Sequence, residues 1–124
     1  MKKLAPAPKN ANKDGKPKVS LLPMDILIEC LVPAYEEGII KYERESWRRG
    51  FKITEMRDAA ERHMTAFFDL CEDYDVEAKE KFNIDKHHLG GAIFSLLSAF
   101  HTMKYHSELD DRRSPVNGQL IKAA

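Results

Sequence analysis

The chain has 124 residues, 43% of them apolar and 32% charged. That is one domain's length, too short for most multidomain architectures and too apolar for a wholly disordered chain. Its 20 basic and 20 acidic residues cancel formally, yet residues 1–18 hold six Lys and one Asp, leaving 14 basic and 19 acidic groups in the remainder. A mildly acidic remainder argues against broad nucleic-acid binding and suits a site that recruits cations.

Residues 1–19 are rich in Lys, Pro, Ala and Asn and read as a flexible basic arm. The arm lacks the apolar stretch of a signal peptide, and no later run is long enough to span a membrane. Cys30 and Cys71 both fall within apolar patterns and are expected as buried free thiols. Together these features predict a soluble protein of a reducing, cytoplasmic compartment.

The segment from Met24 to about Arg44 carries Leu27, Leu31, Tyr35, Ile39 and Tyr42 at helical spacing, accompanied by Ile28 and Val32. Pro33 should end or kink that helix near Val32. A compact linker over 44–54 leads to Thr54, which reads as the N-cap of a second helix over 55–74. The stripe of that helix is Met56, Ala60, His63, Phe67, Leu70 and Tyr74. Residues 75–83 form a short charged connection, with or without a helical turn of its own. A third long helix, 84–106, presents Leu89, Ile93, Leu96, Phe100 and Met103. Gly90 and Gly91 lower its helix propensity and call for a packing reason, the close approach of another backbone or a ligand. The expected fold is all-α: a small helical bundle with three long helices, completed by oligomerisation, over 20–110, followed by a tail over 111–124.

Glu36, Glu37, Glu72 and Asp75 are the carboxylates suited to hard divalent ions such as Mg²⁺ or Mn²⁺. Glu72 and Asp75, three apart, fit either one helical edge facing an ion or a solvated pair. His63 fits a hydrogen-bonded core position or a metal-facing one, and His88 is the more inward of the His87-His88 pair. Lys41, Tyr42, Trp47 and Arg48 supply charges for phosphate and rings for a base; Trp47 equally fits a plug between helices. No Walker loop, dinucleotide fingerprint or serine elbow occurs in the sequence.

In chain order, Gly38 with Lys41-Tyr42, Ser46-Trp47-Arg48-Arg49-Gly50, Asp58-Ala59-Ala60, Arg62-His63, Glu72 with Asp75, and His88-Leu89 form an ordered set over roughly residues 15–105. With the Leu21-Leu22-Pro23 lead-in, this set resembles the bacteriophage and bacterial dATP/dGTP diphosphohydrolase N-terminal family, a relative of the MazG-like all-α nucleotide pyrophosphohydrolases. The chain departs from the family pattern at Ser46 and Ser95, where Asn is common, and at Gly91, where many relatives carry a second His.

The resemblance implies metal-dependent hydrolysis of a purine deoxynucleoside triphosphate to the monophosphate and pyrophosphate, in a homodimer or homotetramer. It implies Glu36, Glu72 and Asp75 as metal ligands and Glu37, His63 and His88 as catalytic groups. Lys41, Arg48 and Arg62 would hold phosphate, and Tyr42 and Trp47 would bracket the base. The alternative is a noncatalytic all-helical interaction or regulatory protein that keeps the family core.

Overall fold

The computed structural model describes residues 15–121 and Ala5. Most of the basic arm and the last three residues of the tail therefore lie outside the described residues. Four helices follow one another: α1 (Met24–Lys41), α2 (Ile53–Phe68), α3 (Val76–Phe82) and α4 (His88–Tyr105). Among the described residues there is no strand, only two isolated bridges. The all-α expectation holds, with α1, α2 and α4 as its three long helices.

The fold is organised around α4, which packs on both α2 and α1. Its inward side is small: Gly90, Gly91, Ala92, Ser95, Ser98 and Thr102 are buried. A Cβ on Gly90 would stand 2.1 Å from the Cys30 carbonyl oxygen, so glycine lets the α1 and α4 backbones touch. The small-residue strip is thus used within the chain. Leu96 and Phe100, expected on the core face, are 53% and 60% exposed. Apolar periodicity located the helix but not which of its faces turns inward.

α1 runs through Pro33 rather than ending at Val32. Proline costs one ladder bond there, while residues on both sides, Cys30 and Ala34 among them, stay against the body of the protein. The inward face of α1 includes buried Ala34 and Glu37, whereas Ile28, Val32 and Ile39 are exposed.

Thr54 is not the N-cap of α2. Lys52 takes that position without a side-chain bond, and Thr54 donates from N and Oγ1 to the Asp111 carboxylate at 3.0 and 2.5 Å. Asp111, from the far end of the chain, therefore adds its negative charge to that of Glu55 in the first turn of α2. α2 also stops at Phe68, six residues early. Cys71 takes a left-handed conformation, φ 55°, and Glu72 N donates back to Ala66 O at 2.9 Å. This closure resembles a glycine C-terminal turn made without glycine. It leaves Cys71 exposed, against expectation.

The turn at Cys71 matters because it redirects residues 72–75. Asp75 N donates to Lys86 O at 2.8 Å and His88 N to Asp73 O at 2.9 Å, clamping the exit of α2 against the approach to α4. α3 occupies the intervening loop, with the Asp75 side chain accepting from Ala78 N as its N-cap.

Candidate nucleotide and metal site

The clamp helps assemble an ionic cluster from four parts of the chain. His63 on α2 and His88 at the start of α4 bring their Nδ1 atoms to 2.9 Å. His88 Nε2 lies 2.8 Å from Glu72 Oε1. The Lys86 ammonium stands 2.9 Å from Glu37 Oε1 and 3.2 Å from Asp75 Oδ2, and Lys41 reaches the same Glu37 oxygen at 3.0 Å. Glu37, Lys86 and His88 are all buried, each about 6% exposed.

Burial pushes the His63 pKa down to about 4, and the nearby Lys86 and His88 push the same way. His63 is therefore neutral at pH 7. For Asp75, burial favours the neutral acid, but the Lys86 ammonium and the Ala78 N–H outweigh it and hold the carboxyl below its ordinary value. If His88 donates its Nε2 proton to Glu72, its Nδ1 presents a lone pair, and one proton fills the gap between the two Nδ1 atoms.

A cation suits that gap. His63, Asp75 and His88 each offer a ligand atom, all within 4.8 Å of one another. Two imidazole nitrogens and a carboxylate form a donor set suited to a transition-metal divalent ion, with positions left open for water or phosphate. The donor chemistry therefore fits a divalent ion.

Beside the cluster lies a cleft of about 310 Å³, lined among others by Glu37, Lys41, Arg62, His63 and Lys86. A second cleft, about 230 Å³, is lined by Tyr35, Tyr42, Trp47, Phe51 and Phe94. The two share Gly38, Tyr42, Phe51 and Phe94 as a common wall. One charged and one aromatic compartment thus adjoin along the C-terminal half of α1.

The structure sorts the sequence candidates. Glu37, Lys41, Arg62, His63, Asp75 and His88 converge on the cluster or the charged cleft, and Glu72 joins through His88. Glu36 does not: it is exposed and lines neither cleft. One helical step separates it from Glu37, and only Glu37 falls on the inward face. Glu72 and Asp75 do not share a helical edge, because α2 has ended before both. Arg48 stacks 4.4 Å above the Trp47 ring and lines neither cleft. Trp47 is wedged edge-on between Tyr35 and His101, at 6.0 and 5.0 Å between centroids, so it plugs a junction and lines the aromatic cleft at once. Tyr42 is exposed at the shared rim.

Lys86, Tyr35, Phe51 and Phe94 were missed. From sequence, Tyr35 falls only on a helical stripe, and Lys86 lies within the expected 84–106 helix with no role assigned. Its backbone pairs with Asp75 and its ammonium with Glu37 and Asp75 on the inside of the fold.

A family model for the N-terminal part of dATP/dGTP diphosphohydrolase matches residues 6–112. The chain belongs to this family. No curated protein and no solved structure matches it. The family's description points to a hydrolase acting on purine deoxynucleoside triphosphates, and all the cluster and cleft residues fall within the matched span. Among the described residues, no helix is long and apolar enough to cross a membrane.

Proposed function

We propose that the paired clefts bind a purine deoxynucleoside triphosphate and hydrolyse it to the monophosphate and pyrophosphate with a divalent ion, Mn²⁺ suiting the two imidazoles better than oxygen-seeking Mg²⁺. The observation that carries this reading is the shared wall between an aromatic and a charged compartment, with the His63–Asp75–His88 donor set at the charged end. Tyr35, Trp47, Phe51 and Phe94 offer ring surface for the base. Lys41 and Arg62 offer cationic groups for the phosphates.

His63, Asp75 and His88 would hold the ion, which supplies charge neutralisation at phosphate and an activated water. Glu72 fixes the His88 ring by accepting from Nε2, which leaves Nδ1 as the ligand atom. Glu37 is engaged by Lys41 and Lys86, and so acts on the arrangement of cations rather than as a free base. Exposed Ile28, Val32, Leu96 and Phe100 support a homodimer or homotetramer. The two free thiols and a nucleotide substrate fit the cytoplasm.

The test is incubation of the purified protein with each nucleoside triphosphate and Mg²⁺ or Mn²⁺, followed by phosphorus NMR. Monophosphate and pyrophosphate from dATP or dGTP are expected. An intact triphosphate, or diphosphate with free phosphate, overturns the reading. A noncatalytic nucleotide-binding module is the second reading, favoured by one observation: Lys86 already neutralises Glu37 and Asp75.

A further inference from the structure

Lys86 is an unusual residue to bury. Lysine is almost never enclosed without a partner, because its ammonium loses a large hydration energy. Here it is 6% exposed and lies between two carboxylates that come from different elements, Glu37 of α1 and Asp75 at the head of α3. Its own backbone is fixed as well, since Lys86 O accepts from Asp75 N at 2.8 Å. The ammonium is therefore placed by a clamp.

Its position is that of a cation bridging two carboxylates at the wall of the charged cleft, beside the His63–Asp75–His88 donor set. Two carboxylates, Glu37 and Asp75, face two ammoniums, Lys41 and Lys86, so this part of the cluster is balanced before any ion arrives. A divalent ion between Glu37 and Asp75 would have to displace Lys86 from the two carboxylates that are its ion-pair partners among the described residues.

We propose that Lys86 is a built-in cation: its ammonium holds the place between Glu37 and Asp75 that a second divalent ion would take, so the cleft binds one such ion, at His63, Asp75 and His88. The inference rests on the metal assignment above and is independent of which nucleotide is bound. Lys86→Met keeps the length of the side chain and removes its charge. It leaves the carboxylates uncompensated and their shared position open.

The experiment counts Mn²⁺ bound per chain by electron paramagnetic resonance, without nucleotide, beside melts in chelator and in Mn²⁺. Wild type should bind one ion. Lys86→Met should melt lower than wild type in chelator, bind two ions, and recover in Mn²⁺ more than wild type gains. The double variant Glu37→Gln/Lys86→Met should return to one ion. Two ions in wild type, or a folded Lys86→Met with unchanged stoichiometry, overturns the proposal; no ion in wild type overturns it together with the metal assignment. Should Lys86→Met fail to fold even with Mn²⁺, the wild-type count still decides. One ion in wild type and two in Lys86→Met, with no triphosphate hydrolysed, would refute the enzymatic reading while leaving this one standing.

Discussion

His88 Nε2 and Glu72 Oε1 lie 2.8 Å apart, and this contact gives the glutamate a different task from its neighbour Asp75. Glu72 acts on the imidazole from behind, while Asp75 stands in front with His63. The pair tells apart two carboxylates that the sequence presents as equivalent.

Glu72→Gln should weaken Mn²⁺ binding and turnover by about 10- to 100-fold, the usual cost of losing a ligand's orienting partner. The Glu72 side chain is 41% exposed, so the melt should barely move. Asp75→Asn should cost more in metal affinity, since it removes a ligand charge. The two losses should not add, because both act through one ion. Mn²⁺ titration and circular-dichroism melts of the three variants check this; wild-type affinity in both single variants would sink the site.

Gly90 and Gly91 should fail differently. Alanine at 90 meets the Cys30 backbone carbonyl at 2.1 Å, so α1 and α4 must separate, at a cost of about 3 kcal/mol or more. Alanine at 91 meets the His63 ring at 2.6 Å, which can move at the expense of the His63–His88 contact. Gly91→Ala should thus lose metal affinity more than stability, and Gly90→Ala stability first. Urea unfolding beside Mn²⁺ titration separates them, and equal effects on both quantities would contradict this account.

These glycines show what was legible in the sequence. A helix interior carrying Gly90-Gly91 called for close approach, and the structure supplies it twice, from a backbone and from an imidazole. The periods of the long helices were legible too. The inward faces were not. α4 buries Ser98 and Thr102 and exposes Phe100, because backbone-to-backbone packing selects small side chains over apolar ones. The end of α2 was hidden as well, since a cysteine in the left-handed region has no sequence signature. With the boundary shifted, Glu72 and Asp75 passed from a helix edge to a loop pinned to the approach to α4 through the Lys86 and Asp73 carbonyls.

Stability of the metal-free protein should fall with acid in two stages. His63 has a folded pKa near 4, below the ordinary 6.5, so the unfolded chain takes up its proton first. Its contribution is complete above 6.5 and is lost as pH falls from there to 4. Asp75, also depressed, contributes above its ordinary value near 3.8 and loses that contribution below it. Urea midpoints in chelator at pH 7, 5.5 and 4.5 should therefore decline for wild type, and His63→Gln should flatten that segment. An equal decline in the variant would remove His63 as its source.

The exposed apolar side chains of α1 and α4 should be covered in solution. Ile28, Val32, Leu96 and Phe100 are each at least 41% exposed, on helices whose other faces are already packed. Sedimentation at tens of micromolar should report an oligomer. Phe100→Asp should shift it toward monomer with helicity retained, because Phe100 contributes little to the interior. A monomeric wild type would leave these faces without the proposed cover.

Trp47 is the only tryptophan in the chain, and it lines the aromatic cleft while Arg48 stacks on its ring. A purine entering that cleft must alter the surroundings of the indole, so dATP or dGTP should change its emission in a saturable way. The charged cleft should set the affinity: Lys41→Ala or Arg62→Ala removes a cation that phosphate would use and should shift the titration to about 10-fold higher nucleotide. Phe94→Ala should weaken the response through the shared wall, where it removes ring surface common to both compartments. The same titration with inorganic triphosphate should leave the emission nearly unchanged, since nothing then fills the aromatic side. Equal responses to triphosphate and to dATP would mean that Trp47 senses charge in the neighbouring cleft rather than a stacked base. In that case the aromatic compartment would be only the junction plug that Tyr35, Trp47 and His101 already make.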